Sequence, residues 1–243
     1  TTITVVKNFV LYAQWKEKPA FTVGEFSISD TKKVAFSLGN LQYHPKNDTW
    51  RFAEKQTDYL GADNQYLAAD YDGWIDLFGW SGSTGSATFG VSTSTTSADY
   101  SGDFVDWGTN TIGTDAPDIW RTLTDDEWSY LLSGCTNANN LIGVARINLN
   151  ADGSRYANGI VFLPDYWICP AGITFKSGYS YDYVNYQIFT LSDWQKLEAA
   201  GAVFLPASGY RGGSDVNRVQ ECAVYWSATV NFSDEAGCLY FDF

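Results

Sequence analysis

Short strand patterns dominate this chain, and helical spacing is confined to two windows. Ile3-Thr4-Val5-Val6 and Val10 to Trp15 read as one opening strand, closed by the charged linker Lys16-Glu17-Lys18-Pro19. Strand patterns follow at Phe26–Ile28, Val34–Ser37, Leu41–Tyr43 and Trp50–Phe52, with turns at Ser29-Asp30 and across Pro45 to Asp48. From 53 to 119 the period is lost. Gly, Ser, Thr and Asp mix with aromatic residues, the one apolar knot runs from Trp74 to Trp80, and Gly82 to Ser97 reads as loop.

The first helix window opens on Thr124-Asp125-Asp126-Glu127, the spacing of a capping box in which Thr and Glu satisfy each other's free amides. Its acidic first turn opposes the positive helix end. Trp128, Leu131 and Leu132 give the apolar stripe, and Gly134 is the stop. The second helix runs from Ser192 or Asp193 to Ala200, with Trp194, Leu197 and Ala200 on one side and Gly201 as its stop. Ala202 to Pro206 then reads as a buried strand.

The tail from Gly209 to Phe243 mixes two kinds of position. Tyr225, Trp226 and Ala228, then Leu239, Phe241 and Phe243 at a period of two, form a β framework. Between them stand residues with no common chemistry, among them Gly212, Asp215, Arg218, Cys222, Val224, Phe232, Gly237, Cys238, Tyr240 and Asp242. A solvated loop settles on Gly, Asn, Asp and Ser, so Cys, Val and Phe there need another reason. The framework places Leu239, Phe241 and Phe243 inward and Cys238, Tyr240 and Asp242 outward.

Composition narrows the function classes. The 243 residues carry a net charge of −13, which argues against nucleic acid and against an anionic membrane surface. Aromatic residues make up 17%, a composition that suits a rigid β-rich core and a binding face alike. The sequence has no apolar run long enough to span a bilayer and no charged-then-apolar leader at Thr1, and its opening within a strand suggests a piece of a longer chain. Cys135, Cys169, Cys222 and Cys238 lack CxxC spacing, so a structural zinc site is not expected, and disulfides stay open. The single histidine, His44, precedes a turn and reads as a partly exposed structural residue, with no carboxylate placed beside it.

The tail resembles the variable proteins of diversity-generating retroelements. The resemblance rests on Gly209-Tyr210-Arg211, Val216-Asn217, Tyr225-Trp226-Ser227-Ala228-Thr229 and the closing Leu239-Tyr240-Phe241. In that family an error-prone reverse transcriptase rewrites the gene's 3′ end from a template repeat, changing adenine-containing codons such as those for Asn. Phe36-Ser37-Leu38-Gly39-Asn40-Leu41-Gln42-Tyr43 resembles the opening of gut bacterial lectin-fold variable proteins. Trp120 to Thr124 with Glu127-Trp128 resembles the helix motif of formylglycine-generating-type domains, which share the fold. Leu11-Tyr12-Ala13-Gln14-Trp15 is similar to the last strand of the Listeria–Bacteroides repeat, a surface module.

These resemblances imply an α+β, C-type-lectin-like fold with two main helices, short antiparallel sheets and long irregular loops. Residues 1–19 would be the end of a surface repeat plus linker, and 20–243 the ligand-binding domain, with a variable region over about 209–243. The implied function is surface display of a diversified face that binds a protein or glycan on another cell or phage, without catalysis, metal or cofactor. The implied binding positions are Gly212, Asp215, Asn217, Arg218, Cys222, Val224, Asn231, Phe232, Asp234, Gly237, Cys238, Tyr240 and Asp242. Arg218, Phe232 and Tyr240 are the expected anchors, and Trp226 the framework buried beneath them. Cys222 and Cys238 would be exposed products of mutagenesis.

Two other readings remain, an ordinary adhesin and a formylglycine-generating-type enzyme. The enzyme works through a close pair of C-terminal cysteines with metal assistance, whereas Cys222 and Cys238 stand far apart in sequence. Asn148 to Gly153 imitates half of a calcium loop, but Gly159 stands where the bidentate Glu is required, so a hairpin turn is expected. Asp63, Asp70, Asp72 and Asp76 form a second oxygen-rich run, expected to be a solvated acidic loop. The Glu-Pro-Asn, Gln-Pro-Asp and Trp-Asn-Asp tripeptides of calcium-dependent sugar-binding lectins are absent.

Overall fold

The computed structural model describes residues 24–68, 70–77, 80, 104–134, 141–178, 187–232 and 235–243. The opening strand and linker over 1–19 and the loop over 82–97 lie outside these, as do Cys135 and Asp234.

Two two-stranded hairpins come first. β1 (Phe26–Ser27) pairs with β2 (Lys33–Val34), and β3 (Leu41–His44) with β4 (Thr49–Phe52). The central sheet has the order β7-β5-β6-β8, from β5 (Ile142–Asn148), β6 (Tyr156–Phe162), β7 (Gln187–Thr190) and β8 (Val203–Pro206). β6 runs antiparallel to both neighbours, whereas β5 and β7 are parallel. That pair departs from the all-antiparallel expectation because β7 reaches the far side of β5 by a long connection rather than a hairpin. Two further hairpins close the chain, β9 (Tyr210–Gly212) with β10 (Asp215–Asn217), and β11 (Cys222–Phe232) with β12 (Glu235–Asp242).

Among the described residues there are two α-helices, α1 (Asp125–Ser129) and α2 (Leu191–Ala199). Both arms of the capping box form at α1, the Thr124 hydroxyl accepting from Glu127 N–H and the Glu127 carboxylate from Thr124 N–H. The helix is shorter than its stripe suggested, because it widens into a π-helical turn over Tyr130–Gly134. α2 begins earlier than Ser192, since Thr190 caps it by accepting from Asp193 N–H. Gly201 ends it with φ +96°, a conformation that strains a side chain.

The central sheet is covered on both faces. Ile142, Ile160, Phe162 and Leu205 pack with Trp128, Leu239 and Phe241, which joins α1 and the terminal hairpin to the sheet. Ile147, Val161, Phe189 and Phe204 pack with Trp194 and Leu197 of α2 on the other face. A third cluster gathers Tyr43, Trp50, Ile75, Trp80, Trp107 and Ile112 around the β3–β4 hairpin. The free edge of β8 is covered by one side chain: Gln56 accepts from Phe204 N–H and donates to the Ala202 carbonyl. A strand edge paired this way is closed to further strands.

Several expectations about polar residues are corrected here. Asn148 to Gly153 does form the β5–β6 turn, and its oxygens are spent locally, Asp152 on Ser154 N–H and Asn150 on Arg155 N–H. The acidic run is not a uniformly solvated loop. Asp72 pairs with Lys46, whereas the Asp76 carboxylate is enclosed and accepts from Leu60 N–H at 2.6 Å. Among the described residues no three acidic, His or Cys side chains gather as a metal site. His44 is buried rather than partly exposed, against the Trp74 ring edge, and Asp72 does lie 3.6 Å from its Nε2. Its Nδ1 has no hydrogen-bond partner among the described residues.

Candidate ligand-binding face

The terminal hairpin has two unlike faces. Cys222 stands opposite Asp242, Val224 opposite Tyr240, and Trp226 opposite Cys238. Directly opposed residues share a side of the sheet, so these six form one face. The alternate pairs, Ala223 with Phe241 and Tyr225 with Leu239, form the other. That second face is core, with Ala223, Leu239 and Phe241 buried and Tyr225 packed beside them. Tyr240, between Leu239 and Phe241, is 45% exposed, as the period of two requires. Phe243 is only half-buried at the chain end.

The framework residues bond to the rest of the fold. The Tyr225 hydroxyl donates to the Pro206 carbonyl at 2.9 Å. The Trp128 indole donates to the Trp226 carbonyl at 3.4 Å, and the Trp80 indole to the Ser227 carbonyl at 2.7 Å. Ala228 N–H donates to Leu123, and the Thr229 hydroxyl accepts from Asp125 N–H. Every residue from Tyr225 to Thr229 is thus tied to a residue outside the hairpin. Arg211 belongs with them, donating from Nε to the Leu77 carbonyl and from Nη2 to the Asn64 carbonyl.

The polar residues of the opposite face bond to one another. Arg218 Nη1 donates to Tyr240 Oη at 2.9 Å, and its Nη2 lies 2.7 Å from Asp242 Oδ1. Tyr240 in turn donates to the same Asp242 oxygen at 2.7 Å. Glu221, which the sequence reading missed, joins through Arg218 Nε at 3.4 Å. The bond to Tyr240 holds the Arg218 guanidinium charged beyond its ordinary range, and the bond to Asp242 raises the Tyr240 phenol. Arg218 adopts φ +54°, a conformation that favours Asn or Gly.

Other expected positions separate into open and closed ones. A Cβ on Gly212 would meet nothing within 4 Å, so that position has room for any side chain. A Cβ on Gly237 would lie 2.6 Å from Ser227 Oγ and 3.0 Å from Asp125 Oδ1. Gly237 is therefore framework, not display. Asn217 is exposed opposite Tyr210. Asp215 is half-buried and accepts from Gln65 Nε2 at 3.3 Å, which ties it to the 3-10 turn Gly61–Asn64 rather than to the Arg218 group. Asn231 and Phe232 lie in β11 beyond a shift of register.

Trp226 does not lie beneath the face as expected. It is on that face, half-buried, because its ring packs on the third core cluster. Cys222 was read as exposed and is fully buried, in the fields of Arg218, Asp242 and Glu221. Burial pushes its thiol up, and does the same to half-buried Cys238. Cys238 faces Trp226, so the two cysteines stand four residues apart along the ladder, about 13 Å at 3.3 Å per residue. That distance rules out a disulfide between them. Cys169, Cys222 and Cys238 are all free.

A cleft of about 800 Å³ opens beside Val224 and Trp226. Its lining includes Phe52, Trp107, Trp120, Tyr210 and Asp76, brought together from segments distant in the sequence. Burial raises the Asp76 carboxyl to about 6. No family model, curated protein or solved structure matches the chain.

Proposed function

We propose that this protein binds a macromolecular ligand, a protein or a glycan, through the outer face of its terminal hairpin, and that retroelement mutagenesis has diversified that face. On this reading the fold is C-type-lectin-like, the chain is displayed outside the cell or on its surface, and no catalysis is involved. One observation carries the proposal: the framework residues Tyr225 to Thr229 bond to the scaffold, whereas Arg218, Tyr240 and Asp242 bond to each other. Residues wired in the second way can be exchanged without disturbing the fold. The αL backbone of Arg218 fits the same account, since an Asn codon in a template would suit that conformation better than the Arg now present. The separation of Cys222 from Cys238 also weighs against the close cysteine pair of formylglycine-generating enzymes.

The test is a displayed library randomised at Gly212, Asn217, Arg218, Val224, Tyr240 and Asp242. Most members should resist protease like the parent, and the pool should yield binders to unrelated protein or glycan targets. A library in which few members fold would reject the separation of display from framework.

A further inference from the structure

We propose that the cleft beside Trp226 binds a small organic cation, an ammonium group carried on an aromatic or alkyl body. This goes beyond the outer-face reading, because the cleft is built mainly from scaffold residues of the 34–41 and 104–123 segments. A volume of about 800 Å³ lies within the range of small-molecule sites, which are mostly apolar with a few placed polar groups. Phe52 and Trp120 meet edge to face at 4.8 Å in its wall, and Trp107 and Trp226 add two more indoles. Aromatic walls attract a cation through the negative faces of their rings.

The charges lining the cleft favour the same sign. Of its two guanidinium groups, Arg121 is neutralised by a two-pronged pair with Glu127, whereas Arg211 donates to the Leu77 and Asn64 carbonyls and keeps a charge that acts on Asp76; Asp106 and Asp118 still leave the lining net acidic. Asp106 is likewise satisfied, by Gly108 N–H and Thr122 N–H. Asp76 is different: one oxygen accepts from Leu60 N–H, and the other is buried without a donor. A buried carboxylate oxygen left without a hydrogen bond is costly, and a cationic donor in the cleft would offset that cost. Asp118, exposed at the rim with φ +66°, adds a second acid at the entrance.

The test is calorimetric titration of the full chain with 4-phenylbutylammonium, 4-phenylbutanol and 4-phenylbutyrate, which share one body and differ in charge. The ammonium should bind at least about tenfold more tightly than the alcohol, which is about 1.4 kcal/mol, and the carboxylate should bind worst. Asp76→Asn should erase the preference for ammonium over alcohol. Should that variant fail to fold, Asp118→Asn carries the same comparison and should reduce the preference. Equal binding of ammonium and alcohol, tighter binding of the carboxylate, or no saturable binding of any of the three would overturn the proposal. The library selection on the outer face does not involve this titration, so the two readings succeed or fail separately.

Discussion

Arg218 donates to the phenolic oxygen of Tyr240 at 2.9 Å, although the two residues stand in separate parts of the tail. Asp242 closes the group by accepting from both. Such exposed pairs contribute little to stability, about 0–1 kcal/mol each, and this group holds no element of the fold in place. Neighbouring Phe241 points the other way into the core.

Adjacent residues of β12 should therefore behave oppositely. Tyr240→Ala should change unfolding free energy by no more than about 0.5 kcal/mol, whereas Phe241→Ala should cost about 3–5 kcal/mol. Urea unfolding of both variants checks this. A Tyr240 variant as unstable as the Phe241 variant would mean that the outer face supports the fold.

Arg218 gives a sharper test of exchangeability. Its αL backbone stores about 1–3 kcal/mol of strain for a residue with an ordinary side chain. Arg218→Asn removes three charged contacts yet relieves that strain, so the thermal midpoint should stay level or rise. A clear fall would show that the Arg218 group is structural.

How far the sequence could be read follows from how local each signal is. The capping box at Thr124 and the Gly201 stop act within a few residues, and both form as spaced. The alternation through Leu239 and Phe241 likewise sets the register of β12. Thr190 was missed as a cap because the apolar spacing begins only at Trp194. Cys222, Gly237 and Trp226 were misplaced for another reason. What surrounds each one, Arg218 over Cys222, Ser227 and Asp125 against Gly237, the third cluster under Trp226, is brought together only by tertiary packing. The cleft was invisible for the same cause, since its walls come from distant segments.

The cysteines should differ in reactivity according to burial. A maleimide should modify exposed Cys169 readily in the folded protein, and Cys222 only after unfolding. Peptide mass mapping separates the two. Non-reducing peptide mapping should show no Cys222–Cys238 bridge; finding one would contradict the register of β11 and β12.

Asp76 predicts a pH dependence with a definite sign. Its folded carboxyl titrates near 6 against an ordinary value of 3.8, because burial disfavours the charge. Between those values the folded chain holds a proton that the unfolded chain has released, so stability falls as pH rises through this window. The penalty above it is about 3 kcal/mol, at roughly 1.4 kcal/mol per pKa unit. Acidification from pH 7 to 5 should raise the thermal midpoint. At lower pH the gain should reverse as Asp165 and Glu127 protonate: burial pushes both up, but the bonds of Asp165 to Lys33 and Ser27 and of Glu127 to Arg121 and Thr124 N–H together outweigh it and hold both below the usual carboxylate range. Asp76→Asn should flatten the rise between pH 7 and 5, and a wild-type midpoint that falls over that interval would contradict the assignment.

The most direct measurement of the central claim is the nucleotide sequence of the gene's 3′ end and the DNA downstream of it. Diversification predicts a nearby near-copy of the segment encoding about Gly209 to Phe243, differing almost only at positions where the copy carries adenine. Those differences should fall on the codons for Gly212, Asn217, Arg218, Val224, Cys238, Tyr240 and Asp242, and spare Tyr225 to Thr229, Gly237, Leu239 and Phe241. No such copy, or one whose differences fall equally on framework and display codons, would contradict the account.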